Sequence, residues 1–236
     1  MNLKDPKPFR FKQFKVHHHL STFKVNTDGV LLGCSADVTD SKTALDIGAG
    51  TGMISLILAQ RNPSLHITGI EIDATSAAQA MYNAEQSPFA DRVSIINADC
   101  FDYNYRQKYD LIVCNPPYFV GGTLPADANL SIAKHGTVDF VPRLIELAEG
   151  LLEDEGVFTF LLPYSEEHRV TTMINESNLF LQKQTVIKSY NHSEPYASMY
   201  ALSSKKVEVI ADELVLYIKN REYTDEHRLL TEDFML

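Results

Sequence analysis

The sequence has no uninterrupted apolar run of about 18 residues, the length a membrane-crossing helix needs. Its first 24 residues, Met1 to Lys24, alternate charged and aromatic side chains and hold no apolar core of the kind a secretory leader requires. A cytoplasmic location is therefore expected. Cysteine is scarce: Cys34, Cys100 and Cys114 are odd in number and scattered, without the paired spacing of a zinc site or a disulfide framework. They read as reduced, mostly buried thiols, and no metal site is expected. No stretch is rich enough in Pro, Gly or Ser to separate two domains, and no internal repeat is visible. What remains is an ordinary globular composition, 44% hydrophobic and 22% charged over 236 residues. The expected organisation is one domain spanning 1–236, with an N-terminal arm over 1–24 and a core of about 25–236.

The net charge of −10 argues at first against a polyanionic partner. Its distribution points the other way. Residues 1–24 hold Lys4, Lys7, Arg10, Lys12, Lys15 and Lys24 against Asp5 alone, a net +5, which leaves −15 on the other 212 residues. Basic arms contact phosphates, and Lys12 and Lys15 are candidates for that role. Phe9, Phe11, Phe14 and Phe23 interleave with the cations. They fit either stacking on bases or plugging the core of the body.

From residue 43 onward strand-like and helix-like segments alternate. Strands are expected at Thr43–Ile47, Leu65–Glu71, Val93–Asn97, Tyr109–Cys114 and Val157–Leu162. Helices are expected at about 52–62, from a cap at Asp73 to about 86, at about 139–152 and at about 165–175. This alternation predicts an α/β fold, a mostly parallel sheet covered on both faces. Phe180–Lys188, Ala201–Ile210 and Leu214–Lys219 follow with short connections, which predicts an antiparallel edge.

Leu45-Asp46-Ile47-Gly48-Ala49-Gly50-Thr51-Gly52 closes the first of these strands and opens a helix. Glycines at alternate positions let the backbone turn sharply and bring a ligand close to the helix N-terminus. The G-x-G-x-G spacing differs from the G-x-G-x-x-G of dinucleotide sites. Asp46 would repel a pyrophosphate but attract an ammonium group. Glu71, nineteen residues after Gly52, closes the next strand, where a carboxylate can accept both hydroxyls of a ribose. Asp99 follows the third strand and suits an adenine amino group. Each residue has a plainer role as turn former or helix cap. Together, Asp46, Gly48, Gly50, Gly52, Glu71 and Asp99 match the ammonium, ribose and adenine of S-adenosylmethionine.

Asn115-Pro116-Pro117-Tyr118 directly follows the fourth strand. The prolines stiffen the segment, hold Asn115 extended and remove backbone donors. The Asn115 amide oxygen and the Pro116 carbonyl can then accept both hydrogens of a planar amino group, while Tyr118 stacks on the ring that bears it. Such a nitrogen is a poor nucleophile because its lone pair is delocalised. Acceptors that strengthen their bonds as positive charge builds on nitrogen stabilise the transition state of alkylation.

With these motifs in view, the chain resembles class I methyltransferases of the Asn-Pro-Pro-Tyr group. More closely, it is similar to the tRNA (adenine-N6)-methyltransferases that modify the adenosine beside the anticodon, position 37, of a valine tRNA. Phe11-Lys12-Gln13-Phe14, the leader Lys24 to Gly33, the glycine turn, Glu71, Asp99, the Asn115–Tyr118 segment and Arg221-Glu222-Tyr223-Thr224 carry the resemblance. It implies a Rossmann-like three-layer sandwich with a mostly parallel seven-stranded sheet and an antiparallel C-terminal edge. It implies S-adenosylmethionine as methyl donor, with Asn115 beside it. It implies a tRNA anticodon stem-loop as partner, no obligatory protein partner, and no membrane. Asn115, Pro116, Pro117 and Tyr118 would hold the flipped adenine, with Lys24, Thr27 and Asp28 near the donor or the base. The loop 119–135, with Lys134 and His135, and the segment 191–206, with Tyr196, Tyr200, Lys205 and Lys206, are candidates to close over the site. The run His17-His18-His19 departs from the family pattern and is expected to be exposed or to face RNA.

Three other readings share parts of this pattern. Glutamine N5-methyltransferases acting on release factors also carry Asn-Pro-Pro-Tyr but have a helical domain in front, whereas only about 45 residues precede the glycine turn here. A guanine-N2 rRNA methyltransferase fits the length. A non-catalytic RNA-binding scaffold would have no need of intact Asp46, Glu71, Asp99 and Asn115.

Overall fold

The computed structural model describes residues 3, 4, 7–116 and 137–236. Pro117, Tyr118 and the loop 119–135 with Lys134 and His135 lie outside the described residues. A two-stranded ribbon in the arm, β1 (Phe9–Arg10) and β2 (Lys15–Val16), precedes α1 (Thr27–Ser35). The alternating body follows as β3 (Thr43–Ile47), α2 (Met53–Arg61), β4 (His66–Glu71), α3 (Ala74–Glu85), β5 (Val93–Asn97) and β6 (Tyr109–Cys114). After the undescribed segment come α4 (Thr137–Leu151), β7 (Leu152–Pro163), α5 (Glu167–Glu176), β8 (Phe180–Tyr190), β9 (Pro195–Ser203), β10 (Ile210–Lys219), β11 (Glu222–Tyr223) and α6 (Asp225–Thr231).

Among the described residues one sheet of nine strands runs β11-β10-β8-β9-β7-β6-β3-β4-β5. Strands β3 to β7 are mutually parallel, and β9 is antiparallel to both of its neighbours. The sheet exceeds the expected seven strands, and its C-terminal edge is not wholly antiparallel: the strand expected at Leu214–Lys219 is β10, which pairs with β8 in parallel, and β11 turns back on β10. The segment 201–210 is also corrected. The strand is Pro195–Ser203, in mid-sheet, and Val207 and Val209 behind it stand about half exposed. A strand covered on both faces loses the polar alternation that marks an edge strand, so the alternating Lys-Val-Glu-Val run drew the assignment instead.

Side-chain alternation divides the core into layers. Ala44, Leu111 and Val113 pack with Leu32 of α1 and Leu56 and Ile57 of α2 on one face. Leu45, Ile47, Ile112, Phe158 and Phe160 pack with Leu144 of α4 and Val170 of α5 on the other. This is the expected three-layer sandwich. No helix among the described residues is long and apolar enough to cross a membrane.

The arm belongs to the first layer. Phe11 and Phe14 are 4% and 5% exposed, stack on each other at 4.6 Å, and Phe14 meets Phe89 edge-on at 6.0 Å. They plug the core and are not available to stack on bases. Phe23 is exposed. The Lys12 backbone N–H donates to the Phe234 carbonyl and its ammonium to the Glu232 carbonyl, so Lys12 ties the arm to the C-terminal tail. Lys15 stays exposed, paired across the ribbon with Arg10. The expectation of exposed histidines holds for His19 but not for His17, which is buried. The Asn83 side chain clamps the His17 backbone, accepting its N–H at 2.9 Å and donating to its carbonyl at 2.8 Å, and the ring stands edge-on to Tyr82. Tyr200, expected in a closing segment, is buried in β9 and stacks on Phe160 at 5.3 Å.

Candidate active site

β3 ends at Ile47, and the chain then turns through Gly48, Gly50 and Gly52 with φ of 73°, 56° and 77°. Only glycine adopts such angles without a steric penalty. The turn is tied down on all sides. The Gly48 and Ala49 N–H groups donate to the Ile70 carbonyl at 2.9 and 3.0 Å. Gly50 N–H donates to the Glu71 Oε2 at 2.8 Å, while the Glu71 Oε1 accepts from Asp73 N–H at 2.8 Å. Glu71 thus joins the glycine turn to the start of α3, whose cap is Asp73, accepting from Ser76 N–H at 2.7 Å. The Asn97 amide donates to the carbonyls of Glu71 and Ile72, holding the ends of β4 and β5 together. Asp99 Oδ1 accepts from Phe101 N–H at 2.9 Å and closes the turn after β5.

These strand ends border a cavity of about 440 Å³. Gly48, Gly50, Glu71, Asp99, Asn115 and Pro116 line it together, and Lys24 stands at its wall beside Phe23. Asp46, Gly52, Thr27, Asp28, Lys12 and Lys15 do not line it. Asp46 is fully buried behind the turn on the α2 side, where its Oδ2 accepts from Ser55 Oγ at 2.6 Å and from Ser55 N–H at 3.1 Å. Its Oδ1 has no hydrogen-bond partner among the described residues. Gly52 faces Ala80 of α3, 3.3 Å from where its Cβ would stand. Asp28 accepts from the Tyr196 hydroxyl at 3.3 Å.

Burial dominates the electrostatics. It pushes the Asp46 carboxyl up to about 6 against the pull of the Ser55 bonds, with Glu71 adding repulsion. Burial also raises Glu71, opposed by the N–H groups of Asp73 and Gly50. Cys100 and Cys114 line the cavity too, but burial raises both thiols, Cys100 to about 12, so neither is an anionic nucleophile.

The cavity also contains residues that the sequence reading did not single out. The first turn of α1 forms part of its wall. Asn26 caps that helix, accepting from Gly29 N–H at 2.8 Å. A Cβ on Gly29 would lie 2.6 Å from the Met53 Cε and 3.7 Å from the Asn115 Nδ2, so glycine lets α1 approach Asn115 closely. Asn26 followed by Asp28 is helix-start grammar and was a usable signal. Phe101 and Phe140 meet edge-on at 5.4 Å on another wall, with the Arg143 guanidinium 3.9 Å above Phe101. Glu166 and Arg169, paired at 3.2 Å, stand at the α5 side. These contacts join segments far apart in the chain and carry no local motif.

The arrangement fits S-adenosylmethionine. The volume lies in the range of small-molecule sites. Among the described residues nothing lies within 4 Å of where a Cβ on Gly48 would stand, so the turn leaves open space for a ligand against the backbone. Two carboxylates at strand ends and largely apolar walls match a cationic, hydroxylated nucleoside. Among the described residues no cluster of three or more His, Cys, Asp or Glu side chains could hold a metal ion.

Comparison with known proteins bears on the family and the fold. Residues 21–177 match the family model of the methyltransferase small domain. A relative from Bacteroides thetaiotaomicron, named tRNA1(Val) (adenine(37)-N6)-methyltransferase, is 36% identical over 97% of this chain and 97% of its own. One of the same name from Flavobacterium psychrophilum is 38% identical over 97% of this chain and 99% of its own. Among solved structures, a predicted O-methyltransferase from Agrobacterium tumefaciens superposes with a TM-score of 0.67 at 16% identity, covering 88% of this chain and 96% of that one. A protein described as a class I S-adenosylmethionine-dependent methyltransferase, from Listeria monocytogenes, gives 0.56 at 17% identity over 79% and 62%. These two likenesses support the class I fold alone. The chain belongs to the methyltransferase small-domain family and, within it, to the family of tRNA1(Val) (adenine(37)-N6)-methyltransferases.

Proposed function

We propose that this protein transfers a methyl group from S-adenosylmethionine to N6 of adenosine 37 in the anticodon loop of a valine tRNA, in the cytoplasm. The observation that carries the reading is the meeting of Asn115 and Pro116 with Gly48, Gly50, Glu71 and Asp99 in one cavity. When bound, the donor supplies an electrophilic methyl carbon on a sulfonium. Glu71 accepts from the ribose hydroxyls and Asp99 from the adenine amine. Asp46 holds the glycine turn through Ser55 and adds negative potential behind it. The Asn115 amide oxygen and the Pro116 carbonyl accept from the target amine and gain strength as positive charge grows on nitrogen. Pro117 and Tyr118 complete the clasp in this reading. The alkylated nitrogen is strongly acidic, so no dedicated base is required.

A stacked base cannot reach the donor and must be splayed out. An anticodon loop already presents unpaired bases, which lowers that cost. Exposed Phe23 beside Lys24 at the cavity wall offers a ring and a cation to the loop. Lys4, Lys7, Arg10 and Lys15 add phosphate contacts along the arm.

The test is labelled methyl transfer to total tRNA lacking the endogenous modification, followed by nucleoside analysis. The expected product is N6-methyladenosine confined to valine tRNA. N2-methylguanosine, or transfer to a release-factor peptide with none to tRNA, would overturn the proposal.

A further inference from the structure

One motif has no part in the cavity. Arg221-Glu222-Tyr223-Thr224 forms the β10–β11 hairpin and the entry to α6. Thr224 caps α6, accepting from His227 N–H at 3.1 Å and donating to the Val215 carbonyl at 2.6 Å. Glu222 pairs with Arg228. Those contacts account for two of the four residues. Asn220 and Arg221 have φ of 48° and 63°. Asn tolerates the left-handed region, but an arginine there costs stability that glycine would not. Strain of this kind marks positions held for use. Lys219 and Arg221 are exposed and form no ion pair among the described residues, on a chain whose net charge is −10.

Behind this tip lies a row of rings. His192 stacks on Tyr190 at 5.7 Å, Tyr190 meets Tyr217 at 5.6 Å, Tyr217 stacks on Tyr223 at 5.1 Å, and Tyr223 stacks on His227 at 4.1 Å. Buried His227 anchors one end and exposed His192 stands at the other. Sheet direction fixes where the row lies. β8 runs parallel to β7, being two antiparallel steps removed from it, and β10 runs parallel to β8. Their C-terminal ends, which carry Tyr190 and Tyr217, therefore share the end of the sheet at which Glu71, Asn115 and the cavity lie. Tyr196, at the start of β9, bridges the two regions through Asp28, next to cavity-lining Gly29. Four strand steps separate β6 from β10, roughly 19 Å at the usual spacing of about 4.8 Å. That is a span of a few nucleotides.

We infer that the β10–β11 hairpin and the ring row from His192 to Tyr223 form a second contact surface for the tRNA, with Arg221 on a loop phosphate and His192 stacked on a base flanking the target. The inference rests on the RNA reading above. The surface combines an exposed cation with stacking groups, the combination that holds single-stranded nucleic acid.

Arg221→Gly provides a clean test, since it removes the guanidinium while relieving the backbone. It is read beside His192→Ala. The measurements are tRNA affinity against salt, donor affinity by calorimetry, and the single-turnover methylation rate at saturating tRNA. Arg221→Gly should keep or raise the melting temperature, weaken tRNA binding by about 3- to 10-fold and reduce the salt slope by about one. His192→Ala should weaken it by about 5-fold or more with the salt slope unchanged. Donor affinity and saturated rate should stay at wild-type values. Wild-type tRNA affinity and slope in both variants, beside an active wild-type protein, would overturn this surface alone. A wild-type dimer lost in Arg221→Gly would likewise assign the hairpin to self-association and overturn it. A wild-type protein that methylates no tRNA would remove both this surface and the functional reading.

Discussion

Asp46 should make the ligand-free protein less stable as pH rises from 5 to 7, the reverse of the usual carboxylate. Burial is the main cause of its raised value of about 6, against 3.8 when unfolded. The folded state therefore binds the proton more tightly than the unfolded one. Between these values the folded state carries more protons, so stability falls with rising pH. The full difference is about 3 kcal/mol. Two-state linkage leaves roughly half of the protonated form's advantage at pH 5 and almost none at pH 7, a loss of about 1 kcal/mol. Three groups complicate the wild-type profile. Glu71 and Asp28, both also raised by burial, add to the fall. His227, whose value burial lowers, works the other way, because the unfolded chain takes up the proton first. Asp37 and Asp110, both lowered, titrate below this window. The assay is urea denaturation of the wild type and Asp46→Asn at intervals from pH 5 to 7. The difference between their stabilities cancels His227 and Asp28 and should shrink by about 1 kcal/mol in the direction of a weakening wild type. A difference that stays constant across the window would refute the reasoning, since a carboxyl already ionised at pH 5 has no proton left to lose.

The remaining predictions concern the site and its supports. Asn115→Ala should lower kcat by about 10²- to 10³-fold, the scale of losing one charge-stabilising partner, with donor affinity by calorimetry nearly unchanged. Gly52→Ala places a side chain at φ of 77°, with its Cβ 3.3 Å from that of Ala80, and should cost about 1–2 kcal/mol in a urea titration. Phe14→Ala should cost about 3–5 kcal/mol because it empties a packed position between Phe11 and Phe89, measured the same way. A Lys4, Lys7 and Lys15 triple change to Ala should leave stability within about 0.5 kcal/mol and weaken tRNA binding at low salt.

The sheet centre was legible because local and tertiary preferences coincide there. Thr43–Ile47, Val93–Asn97 and Tyr109–Cys114 keep the expected bounds as apolar runs between punctuating residues. Asp73 caps its helix as its sequence position predicts. The C-terminal edge was less legible. Pro195–Ser203 and 204–209 compete for strand character, and only burial between β7 and β8 decides for the first. The arm was ambiguous for a related reason. Interleaved cations and phenylalanines fit a nucleic-acid surface and a core plug equally well, and burial divides them along the chain. Phe11 and Phe14 enter the core, whereas Phe23 and Lys24, beyond the histidine run clamped by Asn83, reach the cavity wall.

The three acidic residues show most sharply what a motif states and what it leaves to geometry. Asp46, Glu71 and Asp99 look equivalent in the sequence, each a carboxylate where a strand ends. Alternation gives Asp46 the same face as Ala44, toward α2, and it sits one residue inside the end of β3. Ser55 therefore covers it and the cavity does not reach it. Glu71 is the last residue of β4, beyond which α3 begins, so its carboxylate emerges at the turn and binds the Gly50 N–H. Asp99 lies two residues past β5 and emerges at the cavity wall as well. A shift of one or two positions relative to the strand end thus separates a carboxylate that reaches the cavity from one that stays behind the turn, bonded to Ser55. That division predicts different losses. Glu71→Gln should weaken donor affinity directly, whereas Asp46→Asn should act mainly on stability and its pH dependence.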